Sequence, residues 1–130
     1  MRITKSQLLD FIYFKVQLKH YKKPIKLVLK FDRYNLEMRA NINMIRSNCD
    51  SIIISNEDPY GDLVGKCYTV ADLINILNNE ELTCESNENE YTVSFDISTG
   101  LRTVIHRTIF DDLDITVTDD EVRLVVLNLQ

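Results

Sequence analysis

The chain has 130 residues, of which 45% are hydrophobic and 27% are charged, and its formal net charge is −5. This size and composition are typical of one soluble globular domain, so we expect a single domain over residues 1–130. The apolar runs are far too short to span a bilayer, and no apolar signal segment follows Met1. We therefore expect neither a membrane protein nor a secreted one, and we expect a cytoplasmic location.

The charge is divided unevenly along the chain. Residues 1–46 hold 11 of the 15 Lys and Arg residues and three acids, a balance of +8, whereas residues 47–130 hold four basic residues and 17 acids, a balance of −13. An asymmetry of this size is evidence about partners and association rates rather than about the fold.

The first predicted element is a helix that begins near Lys5. Thr4 and Gln7 have the spacing of a capping box, and Ile3 is placed to pack on Leu8. The end of this helix is ambiguous, because apolar and polar residues alternate strictly from Phe11 to His20. Two alternatives stay open: a long helix to Tyr21, or a short helix followed by a strand.

A β-hairpin is predicted next. Apolar residues alternate with polar ones over 25–31 and again over 36–43, and the sequence Asp-Arg-Tyr-Asn between them is a turn signal. A short β-branched run, 52–54, and a polar loop, 56–65, follow. A second helix then begins after Thr69, with Asp72 completing a cap, and ends at Asn78 and Asn79.

The rest of the chain has the pattern of short strands separated by turns. Strands are predicted at residues 82–85, 91–97, 101–110, 113–118 and 122–129. The sequence therefore predicts an α+β fold with one or two helices packed on an antiparallel, meander-rich β-sheet.

No catalytic, cofactor or metal motif accompanies this fold. The chain contains only two histidines, His20 and His106, and a lone histidine such as His106 on an apolar strand face is more often structural than catalytic. The three cysteines, Cys49, Cys67 and Cys84, match no zinc spacing and are expected to be reduced thiols. We therefore expect no catalytic, cofactor-binding or metal-binding residues and no enzymatic activity.

Acidic turns are the favoured functional feature. Carboxylates held at rigid hairpin turns can complement a basic cleft and accelerate association. We therefore expect a protein-binding inhibitor, of the immunity or anti-defence type, that docks on a basic, nucleic-acid-handling protein. The candidate partner-binding residues are Glu80, Glu81, Glu85, Glu88, Glu90, Asp111, Asp112, Asp114, Asp119, Asp120 and Glu121.

The basic segment supports an alternative function, that of a nucleic-acid-binding regulator. If residues 11–19 form a strand paired with 25–31, their lysines share one face, with Tyr13 and Tyr21 available for stacking on bases. The candidate residues are Lys15, Lys19, Lys22, Lys23, Lys26 and Lys30. The abundance of Asn, Ile and Lys is also typical of A/T-rich genomes, such as those of phages and mobile elements.

Overall fold

The computed structural model describes residues 1–48, 50–58, 68–79, 91–99 and 103–130. Two α-helices and eight strands lie within these ranges. The helices are α1 (Lys5–Lys15) and α2 (Val70–Leu77). The strands are β1 (Ile25–Phe31), β2 (Leu36–Asn41), β3 (Met44–Ser47), β4 (Ser51–Ser55), β5 (Thr92–Ser98), β6 (Val104–Arg107), β7 (Asp112–Val117) and β8 (Val122–Leu127).

Both helices begin at the capping boxes that the sequence predicts. The Thr4 hydroxyl accepts a hydrogen bond from the Gln7 amide at 3.2 Å, and the Gln7 side chain accepts one from the Thr4 amide at 2.9 Å. Thr69 and Asp72 make the same reciprocal pair at 3.1 and 2.8 Å. Each box satisfies two backbone N–H groups that a helix start would otherwise leave without a partner.

The strands form two four-stranded sheets with the same kind of order. Sheet I has the order β2-β1-β8-β7, and sheet II has the order β3-β4-β5-β6. In each sheet the two central strands are parallel, and each pairs with its edge strand in antiparallel fashion. The α+β class is thus confirmed, but the strands form two mixed sheets rather than an antiparallel meander.

Tertiary pairing explains this difference. β1 and β8 lie at opposite ends of the chain, yet Leu27 is opposite Leu124 in their parallel register. Alternation along a strand shows which face is buried and carries no information about the distant strand that will pair with it. The sequence also did not separate β3 from β2; the chain leaves sheet I at Ile42 and Asn43 and enters sheet II at Met44.

One hydrophobic cluster lies between the elements and draws on both sheets and both helices. Leu8 and Ile12 of α1 and Leu73 of α2 are fully buried in it, together with alternate residues of the central strands. In sheet II the ring of Phe95 meets that of Phe110 edge-on, with centroids 6.2 Å apart. The opposite faces of the sheets carry polar side chains together with a few buried apolar ones, such as Val28 and Ile53.

Neither prediction for residues 11–21 is correct, because α1 ends at Lys15 and no strand follows. Val16 is extended, and residues Leu18–His20 form a short 3-10 helix. The next residues bond to the start of α2: the amide of Ala71 donates to the Tyr21 carbonyl at 2.9 Å. These long-range bonds hold residues 21–23 against the start of α2. Ile12 and Val16 are buried, whereas Phe14 and Leu18 are 83% and 78% exposed.

Candidate functional site

The acids of the last two predicted turns lie along one edge of sheet I. They sit on the edge strand β7 and on the residues directly before and after it. We call this set the acidic edge, and it consists of Asp111, Asp112, Asp114, Asp119, Asp120 and Glu121. At the usual rise per residue, the six residues of β7 extend over about 20 Å, so the carboxylates form a line rather than a point.

Three of these carboxylates have partners that hold them in place. Asp114 forms an ion pair with Lys15 of α1 at 3.1 Å, and Glu121 accepts from Arg123 at 3.3 Å. Asp111 accepts a hydrogen bond from the Asn128 amide group at 2.8 Å. Both side chains of the Asp114 pair are substantially exposed, so this pair adds little stability but ties α1 to the edge strand.

The other three acids are more open to solvent. Asp119 and Asp120 are exposed in the β7–β8 turn, and within the described part of the chain neither has a side-chain hydrogen bond or ion pair. Asp112 is also exposed and accepts only from the amide of Leu113, its neighbour in the chain. These carboxylates remain available to a cationic partner.

The pKa of Asp114 is lowered from its ordinary value. The main cause is the hydrogen bond from Lys15, followed by the hydrogen bond from the Ile115 amide, and the charges of Lys15 and Lys30 act in the same direction. The ion pair between Lys15 and Asp114 at 3.1 Å thus brings a cation of the basic segment against the acidic edge of the same molecule, and this lowers the pKa of Asp114.

The first predicted acidic group lies outside the described residues. That group consists of Glu80, Glu81, Glu85, Glu88 and Glu90. The three cysteines, Cys49, Cys67 and Cys84, and the predicted strand 82–85 also lie outside them.

The predicted lysines do not form the single strand face on which the nucleic-acid hypothesis relied. Lys15 ends α1, Lys19 lies in the 3-10 helix, and Lys22 and Lys23 follow it in the turn before β1. Lys23 donates a hydrogen bond of 2.6 Å to the carbonyl of Thr118, the residue directly before Asp119 of the acidic edge. The premise of a lysine-bearing strand at 11–19 is therefore wrong.

Lys26 and Lys30 do share the outer face of β1, but that face is of mixed charge. Lys30 lies 4.0 Å from Glu37 across the β1–β2 pair, and Lys26 donates to Asn41 at 2.7 Å. Arg39 lies 3.5 Å from the same Glu37. The outer face of sheet I thus combines cations on its central and β2 strands with acids at its β7 edge.

A second polar cluster lies in sheet II, and the sequence does not predict it. Asp96 lies on the central strand β5 with a side chain that is only 5% exposed. It accepts hydrogen bonds from Arg46 of the edge strand β3 and bonds to Nδ1 of His106 on the opposite edge strand β6. Glu57 lies 3.7 Å from the same Arg46 nitrogen and accepts from the Ser55 hydroxyl at 3.1 Å.

Burial explains why Asp96 has two such partners. A carboxylate removed from water is strongly destabilising unless charge and hydrogen bonds compensate it. The Arg46 and His106 side chains are about half exposed, so they reach inward from the sheet margins to the buried oxygens. The residues lie 50 and 10 positions from Asp96 in the chain, and only the strand register brings them together.

The cluster orients the imidazole of His106, whose ring bonds to Asp96 through Nδ1. With Nδ1 bonded to Asp96, the second ring nitrogen of His106 is the one left to face solvent. The nearby Ser94 hydroxyl is fully buried and bonds to the Thr108 hydroxyl at 3.2 Å. Every buried side-chain nitrogen and oxygen in the described ranges has a hydrogen-bond partner, and the buried atoms of this cluster are among them.

Neither a metal-ligating cluster nor a membrane-spanning helix occurs in the described ranges. There, no three His, Cys, Asp or Glu side chains are grouped so that they could hold a metal ion. No helix among those residues has the length and apolar character needed to cross a membrane.

No protein-family model, curated protein or solved structure matches this chain.

Proposed function

We propose that this protein is a small non-enzymatic binding protein of the inhibitor or immunity type, and that its acidic edge docks on a basic, nucleic-acid-handling target protein. The observation that supports this proposal is the line of carboxylates along β7 and its turns, in which Asp119 and Asp120 are exposed and unpaired within the described structure. The hairpin backbone fixes where these residues lie, and an Asp side chain is short, so less conformational entropy is lost on binding than for a flexible segment.

Salt dependence of association is the first test. The chain would be immobilised and exposed to a lysate of the native host, and the captured partner would be identified by mass spectrometry. The rate of association with that purified partner would then be measured over a series of salt concentrations. Steered association slows as salt rises, so we expect at least a tenfold loss of rate from roughly 0.05 to 0.5 M salt. An association rate that is indifferent to salt, or capture of nucleic acid alone, would contradict the proposal.

Charge removal at the turn is the second test. The double substitution Asp119→Asn and Asp120→Asn should slow association by roughly three- to tenfold and change the dissociation rate little, because rim charges act mainly on encounter. Asp10→Asn with Asp50→Asn is the matched control, because it removes two exposed acids that lie in other elements. Equal slowing in both double variants would show that net charge, rather than the acidic edge, governs binding.

Nucleic-acid binding is the second candidate function, and the surface that favours it is formed by residues 14–22. Phe14 and Leu18 are exposed beside Lys19 and Lys22, and residues 11–31 contain no acid. The pKa of His20 in this stretch is lowered, first by desolvation and then by the charges of Lys23 and Lys19. Gel-shift assays with single- and double-stranded nucleic acid at low salt decide this candidate: absence of retention removes it.

A further inference from the structure

A groove lies at one end of the acidic edge, between α1, the first residues of the chain and β7. Its volume is about 320 Å³. Four apolar side chains line it, together with three polar ones at the margin. The apolar residues are Met1, Ile3, Phe11 and Leu113, and the polar ones are Arg2, Gln7 and Asp112.

The apolar surface continues outside the groove onto α1. Phe14 follows Phe11 by three positions, so the two rings are neighbours on one side of the helix. Phe14 is 83% exposed, the highest value among the large hydrophobic side chains of the described residues. Exposed apolar surface of this kind next to a groove is typical of a binding site.

The charges around the groove select the kind of occupant. Asp112 lines it, Asp111 precedes Asp112 in the chain, and the charge of Lys15 is offset by Asp114 at 3.1 Å. Arg2 and the charged amino group of Met1, which donates to the Phe110 carbonyl, are both cationic, so the groove itself is of mixed charge. The excess of carboxylates lies outside the groove, along β7 toward Asp119 and Asp120. The charge complementarity therefore favours a cationic occupant that lies along the edge.

We propose that the groove and Phe14 bind an apolar side chain of an extended, lysine- or arginine-rich segment of the partner protein, whose flanking cations pair with the acidic edge. This inference rests on the proposed function and names the chemistry that the partner must present. Six residues of β7 match a partner segment of similar length in an extended conformation. The apolar anchor contributes affinity by leaving water, and the carboxylates contribute register and encounter rate.

Two synthetic peptides test this proposal: a short lysine-rich peptide with one central leucine, and the same peptide with glycine in place of leucine. Titration followed by NMR should show about tenfold tighter binding of the leucine peptide, with shifts at the methyl groups of Ile3 and Leu113. Raising the salt should weaken both peptides. A third peptide, with the same leucine among aspartates, should bind more weakly than either.

Two exposed aromatic residues provide a matched pair of variants. Phe14→Ser should weaken the leucine peptide by roughly threefold or more and leave the glycine peptide unchanged. Tyr34→Ser removes another aromatic ring, which is 64% exposed in the turn between β1 and β2. This variant should bind both peptides as tightly as the parent chain does. Because both side chains are largely exposed, both variants should keep the thermal stability of the parent chain.

The outcomes separate the two proposals. Equal binding of the leucine and glycine peptides, with shifts confined to the turn at Asp119 and Asp120, would overturn the groove proposal and leave the acidic edge as a docking surface. Failure of both lysine peptides to bind at low salt would overturn both proposals. Tighter binding of the aspartate peptide would overturn the basic occupant and indicate an acidic partner that contacts Arg2.

Discussion

The two sheets have the same arrangement of strands: a parallel central pair with one antiparallel edge strand on either side. They differ in where their carboxylates lie. Sheet I carries Asp112 and Asp114 on the edge strand β7, where both are exposed. Sheet II carries Asp96 on the central strand β5, where it is buried. An acid at a sheet edge keeps its water and stays available to a partner, whereas an acid in mid-sheet requires partners from its own chain.

The same contrast applies to the arginines of the edge strands. Arg39 of β2 lies 3.5 Å from Glu37, and both side chains are well exposed. Arg46 of β3 instead reaches a carboxylate that is nearly inaccessible to water. These arginines have similar positions in the two sheets, so they allow the effect of burial to be measured directly.

Arg46→Met should give the largest effect, a loss of about 2 kcal/mol in the free energy of unfolding. It leaves the buried Asp96 with His106 as its remaining partner, and the half-exposed position of Arg46 keeps the loss below that of a fully buried pair. Arg39→Met, the matched control in sheet I, should cost less than about 0.5 kcal/mol. Urea denaturation of both variants provides the measurement, and equal losses would remove the distinction between the sheets.

Substitutions of His106 should have an intermediate effect on the free energy of unfolding and provide a second test of the difference between buried and exposed carboxylates. His106→Ala removes the hydrogen bond to Asp96 and should cost about 1 kcal/mol. His106→Asn supplies an amide donor in a similar place and should recover part of that loss. If a catalytic activity is found that both variants abolish while remaining folded, the cluster is an active site and the non-enzymatic proposal is wrong.

Asp114→Asn should have the smallest effect on the free energy of unfolding, and this effect should depend on pH. The pKa of Asp114 is lower in the folded protein than its ordinary value, so this group stabilises the fold above about pH 4 and loses that contribution as the pH falls through the folded pKa. Because the pair is exposed, we expect the variant to lose less than about 0.5 kcal/mol at neutral pH. The difference from the parent chain should shrink toward zero in acid. A difference that is constant with pH would show that the Lys15 pair does not stabilise the fold.

The local elements could be predicted because their signals lie within a few residues. Thr4 with Gln7 and Thr69 with Asp72 begin the two helices as expected. The alternation predicted over 25–31, 36–43 and 113–118 marks β1, β2 and β7, although β2 ends at Asn41 and β7 at Val117. The end of α1 could not be predicted, since the alternation from Phe11 to His20 fits two local structures about equally. Hydrogen bonds from the start of α2 to Tyr21 and Lys23 impose a third.

The sequence by itself determined the α+β class, the strand faces and the acids at turns, because capping, alternation and turn chemistry act between near neighbours. Only the tertiary structure decided which acids are available. The parallel register of β4 and β5 places Asp96 in mid-sheet opposite Ser55, and the position of β7 at an edge leaves Asp112 in water. Strand partners are chosen over separations of tens of residues, and burial follows from that choice. A carboxylate's solvation is thus a property of the assembled sheet rather than of its place in the chain.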